Sequence, residues 1–218
     1  MLIKNTTPNK SALLLLSGGI DSTTLLAQLS AANYSIIALS FDYGQKHKIE
    51  LQYAAENAKK YSVKKHLVLP LPANLFSTSA LTNPSVEVDK FNKDNILTIN
   101  VNTYVPFRNM VFLSTALSLA ESENIKEIYV AFNQDDSIHY WDCSETFLAQ
   151  MNNLAQMNTT IKIKAPFIKY TKNEVIALAY KLEVDINATI TCYQPQNAIE
   201  CGACLSCISK KNALYKLV

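Results

Sequence analysis

The chain has 218 residues, 49% hydrophobic and 17% charged, with a formal net charge of +2. That length suits one domain, or one with a small appendage, and the balance of residues is that of a globular protein with a real core. A charge this close to zero gives no electrostatic case for a nucleic-acid groove or a membrane surface, and no run reaches the roughly 18 apolar residues of a membrane span.

In chain order, residues 11–17 (SALLLLS) read as a short buried strand ended by a turn signal. Residues 22–33 have helical spacing, with Leu25, Leu26 and Leu29 on one face. A second apolar strand covers 34–42, an amphipathic helix 47–62 and a third strand 66–71. The polar stretch 72–106 carries few periodic signals, and a connection that long implies a task such as a lid or binding loop. Then come an apolar helix over 109–124, a strand over 126–132, a loop over 133–141, a helix over 144–158 and a strand over 161–167. Thr171-x-x-Glu174 is a capping box that opens a helix over 171–182. A cysteine cluster and a last short helix complete the chain. Strands alternating with helices predict a doubly wound α/β fold with a mostly parallel sheet. Ligands in such folds sit beyond the carboxyl ends of the strands, so SGGIDSTT, FDYGQ and AFNQDD, which end the first, second and fourth strands, are expected to face one crevice.

The apolar run Leu13–Leu16 is too short for the core of a signal peptide, and Ser17-Gly18-Gly19 interrupts it. A cytoplasmic chain with reduced cysteines is expected. Strand, glycine turn and helix together make an anion site, because unpaired amides and the helix dipole both favour negative charge. Gly18 and Gly19 let the backbone curl around that anion, and Ser17, Ser22 and Thr23 add hydroxyls. A plain strand–helix turn capped by Ser or Asp is the simpler reading. Neither G-x-x-x-x-G-K-[ST] nor G-x-G-x-x-G is present, so a γ-phosphate lysine loop and a dinucleotide fingerprint are both excluded.

Cys192-x8-Cys201-x2-Cys204-x2-Cys207 places four thiols within residues 192–207. Four soft ligands at this spacing suit tetrahedral zinc. An iron–sulfur cluster also uses C-x2-C-x2-C, although no cysteine follows Cys207 as the ferredoxin pattern requires. Cys143 stands apart, and spacing does not decide between a core and a site residue.

The string SGGIDSTT resembles the pyrophosphate loop of the ATP pyrophosphatase superfamily, which transfers AMP and releases pyrophosphate. With the cysteine cluster, FDYGQKH (41–47), TYVPFRN (103–109) and TCYQPQNAIECGACLSC (191–207), the chain resembles the 7-cyano-7-deazaguanine synthase family of the queuosine pathway from about residue 11 to 213. The resemblance implies an adenine nucleotide α-hydrolase-like sheet of five strands, with an ATP pyrophosphatase domain over 1–170 and a helical, zinc-binding segment over 171–218. It also implies an ATP-dependent ligase that joins ammonia to 7-carboxy-7-deazaguanine, adenylating the carboxylate and then the amide to give the nitrile. ATP, Mg2+ and one structural Zn2+ are the implied cofactors; a homodimer is common in the family, and no nucleic-acid or membrane partner is implied.

By motif position, Leu16, Ser17, Gly18, Gly19, Ile20, Asp21, Ser22, Thr23, Thr24, Leu25 and Leu26 form the ATP loop. Asp21 orients that loop or helps place Mg2+. Phe41, Asp42 and Gln45 are expected to line the nucleotide side. Arg108, permanently cationic, is the candidate to stabilise charge on the reacting oxygen, against a surface arginine at a helix start. His47 is a proton shuttle or a satisfied helix residue. Asn109, Asn133, Asp136, Tyr140 and Asp142 are assigned to the substrate. The family's N-x-x-D-x-S-G-Y-P-D-C segment reads here from Asn133 to Cys143 with Ile138-His139 in place of Ser-Gly and Trp141 in place of Pro, which bears on substrate identity. Two other readings stand beside the ligase: a tRNA thiolase that passes sulfur through a cysteine, and a non-catalytic zinc module that binds nucleotide.

Overall fold

The computed structural model describes residues 10–92, 94–95 and 101–216. Five strands, β1 (Lys10–Leu15), β2 (Tyr34–Asp42), β3 (Lys65–Pro70), β4 (Glu127–Tyr129) and β5 (Lys162–Lys164), form one sheet in the order β3-β2-β1-β4-β5. Every pairing is parallel, with Leu13 opposite Ile37 on one side and Ile128 on the other.

Period-two alternation decides which side chains go to which layer. Leu13, Ile37, Leu39 and Ile128 point to one face and pack with α3 (Arg108–Ser122) through Leu113 and Ala116, and with α5 (Glu145–Gln156) through Phe147 and Met151. Ala12, Leu14, Ile36, Ala38 and Tyr129 point to the other. They pack with α1 (Ile20–Ala31) through Leu25, Leu26 and Leu29, with α2 (Glu50–Lys60) through Ala54 and Ala58, and with α6 (Lys172–Lys181) through Val175. Leu13, Leu14, Leu25 and Leu26 have no exposed surface, and each contributes about 2 kcal/mol of burial. Both faces covered by helices explains why the central strands read as continuous apolar runs rather than alternating ones. The strand order reverses at β1, with β2 and β3 added on one side and β4 and β5 on the other, so the segments leaving β1 and β4 part and leave a crevice at their carboxyl ends.

Two expectations change. The stretch 72–106 does not form a free lid among its described residues. Phe76, Ala80, Leu81, Val88 and Val105 are buried in the core, and Phe91 and Val101 pack against Leu205. The Phe91 amide also donates to the Ala203 carbonyl at 2.7 Å, tying the stretch to the cysteine segment. Residues 133–141, expected as a loop, form α4 (Gln134–His139) and the start of a 3-10 turn (Trp141–Cys143). The Asn133 side chain accepts from the Asp136 amide at 3.0 Å, and Asp135 and Asp136 complement the dipole of the first turn. A last helix, α7, runs over Leu205–Tyr215. No described helix is long and apolar enough to cross a membrane.

Candidate active site

The loop after β1 is built on Gly18, whose φ is +81°. A Cβ there would lie 2.3 Å from the Glu50 carbonyl oxygen and 2.7 Å from the Ala54 amide nitrogen. Only glycine therefore lets the first turn of α2 lie directly on the loop. Ser22 folds back to brace the turn: its Oγ accepts from the Ser17 amide at 3.2 Å and donates to the Gly19 carbonyl at 3.1 Å. Gly19 is the extended N-cap of α1. The twelve-residue helix behind it thus directs its positive end at the crevice.

That crevice is a cavity of about 250 Å3. At one end Ser17, Gly19, Asp21, Ser22, Asp136 and Lys172 line it. Lys172 opens α6 just behind the Thr171 cap, and both halves of the Thr171–Glu174 capping box are present. Its Nζ lies 2.5 Å from Asp21 Oδ2, with only 8% of the side chain exposed. Burial acts against the ammonium, but Asp21 and Asp136 outweigh it and hold Lys172 above its ordinary pKa. Burial first, and then the charge of Asp21, push the Asp136 carboxyl up to about 7. Asp21 Oδ1 is buried with no partner among the described residues. Two carboxylates facing one end of the cavity, one of them with an orphaned oxygen, fit a divalent cation shared with phosphate oxygens.

At the other end, Phe41 stacks on Phe112 with centroids 4.0 Å apart. Tyr43, His47, Glu50, Arg108 and Tyr193 complete that wall. Arg108 Nη1 donates to Tyr43 Oη at 3.3 Å, and the guanidinium lies 5.7 Å from the centres of the Tyr43 and Phe112 rings. It is not a surface arginine. Burial opposes its charge, but Tyr43 and Asp142 outweigh burial and keep it cationic. The preceding Phe107 takes a left-handed conformation, φ +52°, to start α3 at Arg108. Burial, reinforced by Arg108, lowers His47 to about 3, so its imidazole is neutral. Burial raises Glu50 to about 7, against Gln45 and Arg108, which pull it down. The 3.5 Å His47–Glu50 contact is accordingly not an ion pair of a charged histidine.

Of the residues named from sequence, Leu16, Ser17, Gly19, Asp21, Ser22, Phe41, His47, Arg108, Asn109, Asp136 and Tyr140 line this cavity. Ile20, Thr23, Thr24, Leu25 and Leu26 are turned into the core behind the loop. Asp42 turns away to Lys48 at 2.5 Å. Gln45 is a buried bracket, donating to the Phe41 carbonyl and the Glu50 carboxylate at 2.9 Å each. Asn133 caps α4, and Asp142 accepts from the Asn109 amide at 3.2 Å to fix the start of α3. Ile138 and His139 face a second cavity of about 290 Å3, which meets the first at Asp136, Tyr140, Lys172, Tyr193 and Ser206. Sequence reasoning missed Glu50 and Lys172. Each lies at a helix start, where an acidic residue reads as a dipole partner and a lysine after a cap reads as solvated. Their position on crevice-facing helices was the available signal.

The sulfurs of Cys192, Cys201, Cys204 and Cys207 all lie within 4.8 Å of one another. Cys201 and Cys207 are 4.0 Å apart, close to the ~3.8 Å edge of a tetrahedron with metal–sulfur bonds of about 2.3 Å. Backbone amides of Gln194 and Cys201 point at Cys192 Sγ at 3.4 and 3.2 Å, as a thiolate ligand requires. This group fits one metal ion. Cys143 is outside it; the buried thiol lines the first cavity, and burial followed by Asp136 and Asp142 raises it well above its ordinary pKa.

The five-stranded parallel sheet with a glycine loop at its reversal point defines an α/β protein of the adenine nucleotide α-hydrolase-like, pyrophosphate-loop class. In fold it is similar to the NMN synthetase of Francisella tularensis (TM-score 0.54, 14% identity, 89% of this chain and 71% of that one). It is also similar to a predicted tRNA methyltransferase subunit from Methanocaldococcus jannaschii (TM-score 0.51, 20% identity, 78% and 74%). Residues 11–218 match the family described as queuosine biosynthesis protein QueC, and the chain belongs to that family. It is 38% identical to the 7-cyano-7-deazaguanine synthase of Rickettsia conorii over 95% of both chains. With that of Leptospira interrogans it shares 41% identity, over 98% of this chain and 90% of the relative.

Proposed function

We propose that this enzyme converts 7-carboxy-7-deazaguanine and ammonia to 7-cyano-7-deazaguanine, using two ATP and releasing AMP and pyrophosphate. One observation carries the reading: the glycine loop and Arg108 line the same cavity at the carboxyl ends of the strands. The start of α1, Ser17 and Lys172 bind the β- and γ-phosphates that leave together. Asp21 and Asp136 would hold a divalent cation, which when bound would supply positive charge against that leaving group. Arg108 stands where a carboxylate, and later an amide oxygen, attacks the α-phosphorus, and it stabilises the charge there. Neutral His47 keeps cationic repulsion off Arg108.

Zinc in the four-cysteine group holds the C-terminal segment, with a structural role. The compact sulfur arrangement supports a single tetrahedral ion over a cluster of several irons. On this reading residues 1–170 are the ATP pyrophosphatase part and 171–218 the helical, cysteine-bearing part. A sulfur relay through Cys143 is disfavoured, because the thiolate is the nucleophile and burial holds this thiol protonated.

The test follows AMP and product mass with ATP, Mg2+, ammonia and 7-carboxy-7-deazaguanine. Nitrile with two AMP per turnover is the expected result, and Arg108→Met is expected to lower kcat by about 100-fold or more. AMP formation that does not depend on the deazapurine would sink the reading.

A further inference from the structure

Glu50 stands in the same wall as Arg108 and has no role in the reaction described above, yet its carboxyl group is confined, with 13% of the side chain exposed. Gln45 Nε2 donates to its Oε1 at 2.9 Å. His47 Nε2 stands 3.5 Å from its Oε2, beyond good hydrogen-bond distance. A carboxylate has about four acceptor positions, so this one retains unused capacity in a wall of the cavity. A further buried atom nearby, Arg108 Nε, has no partner among the described residues. Buried polar atoms without partners are costly, and a ligand that pairs with them repays the cost. The flanking walls are aromatic: Tyr43, Phe112 and Tyr193 line the same cavity, with the Tyr193 ring centroid 6.1 Å from that of His47.

We propose that Glu50 is the residue that reads the pyrimidine edge of the substrate, accepting from its ring N–H and its 2-amino group while the aromatic side chains flank the bicycle. This rests on the functional reading above and gives it a specificity residue. The chemistry of the edge decides which heterocycle fits. A 2-amino-4-oxopyrimidine ring offers two adjacent N–H donors, which match the two oxygens of one carboxylate. An adenine edge offers a donor beside a ring-nitrogen lone pair, and that lone pair repels the ionised carboxylate, the form that two N–H donors stabilise and that prevails above pH 7, where the comparison is made. The Glu50 wall of the cleft thus excludes the base of ATP and selects the deazaguanine, so the two ligands cannot exchange places. Gly18 fixes the spacing between the two subsites, since the Glu50 carbonyl lies against its Cα.

The experiment is equilibrium binding by calorimetry of 7-carboxy-7-deazaguanine and its 2-deamino analogue to the wild-type protein and to Glu50→Gln, with ATP binding measured in parallel. Wild-type protein is expected to favour the 2-amino compound by about 10- to 100-fold, the range for hydrogen bonds to a charged group. Glu50→Gln is expected to lose most of that preference while its ATP affinity stays within about 2-fold. Equal binding of the two compounds by the wild-type protein overturns the proposal without reference to any variant. A preference that survives in Glu50→Gln also overturns it. Wild-type protein that binds ATP and neither deazapurine overturns the functional reading, and this proposal with it.

Discussion

His47 and Glu50 stand 3.5 Å apart in one cleft, and burial drives their titrations in opposite directions. His47 falls from 6.5 to about 3. Between those values the unfolded chain holds the extra proton, so the stability that comes from a neutral His47 is present above pH 6.5 and is lost as the pH falls toward 3. Glu50 rises from 4.5 to about 7. Here the folded state holds the extra proton, so its contribution is present below pH 4.5 and is lost as the pH rises through 7. From about 4.5 to 6.5 the two contributions oppose each other, and below 4.5 only the loss from His47 remains. Chemical denaturation at a series of pH values is therefore expected to show that His47→Gln flattens the acid loss below pH 4.5. Glu50→Gln is expected to extend that loss upward to pH 6.5. Unchanged slopes in both variants would refute the assignment. The motif around His47 was legible in the sequence, but Glu50 was not. Burial is a property of the fold, and nothing in HKIELQ distinguishes an acid facing a cleft from one serving a helix dipole.

Among elements, the contact between α2 and the phosphate loop is the most constrained. Gly18→Ala would set a Cβ 2.3 Å from a backbone oxygen at a positive φ, and neither atom is the flexible end of a side chain. Loss of several kcal/mol is expected, a fall in Tm of roughly 5–15 °C for a chain of this length, with ATP binding lost as well. Gly202→Ala is the control: its φ is +69°, but a Cβ there meets nothing within 4 Å, so a cost of about 1 kcal/mol is expected from the backbone alone. Thermal melts of both variants separate clash from conformational cost, and equal shifts would show that the clash does not matter. Strong periodicity made α3, α5 and the capped α6 readable in advance. The 133–141 segment was misread because its helix is six residues long, with a cap but no apolar period to find. The 72–106 stretch is irregular as expected, but its packing was not legible, because its apolar residues are spaced irregularly and reach the core from turns and one 3-10 segment.

At the scale of the whole molecule, the alternation of strands and helices was enough to expect a parallel sheet with its site at the carboxyl ends of the strands, while the strand order that opens the crevice between β1 and β4 came from the structure. Which residues meet across the crevice depended on long-range packing. Asp21 and Lys172 are 151 positions apart in the chain and form one ion pair.

The C-terminal segment reaches the phosphate loop by a short path. The Ile190 amide donates to the Gly18 carbonyl at 3.1 Å, and Cys192 follows two residues later. Thr191, between them, is held by Glu200, which accepts its amide at 3.1 Å. Whatever orders the four sulfurs therefore also orders one wall of the glycine loop after β1, and a coupling between metal there and ATP on that loop would work equally in both directions. If removing the metal by chelation weakens ATP binding by some factor, bound ATP must raise the affinity for the metal by that same factor. Competition with a chromogenic chelator, with and without ATP, measures the second quantity, and calorimetry before and after metal removal measures the first. Equal metal affinity in the two conditions would mean that the path is silent. A matched pair of factors would make nucleotide occupancy a guard on the metal, so that in a cell short of that metal the nucleotide-bound protein is the last to give it up.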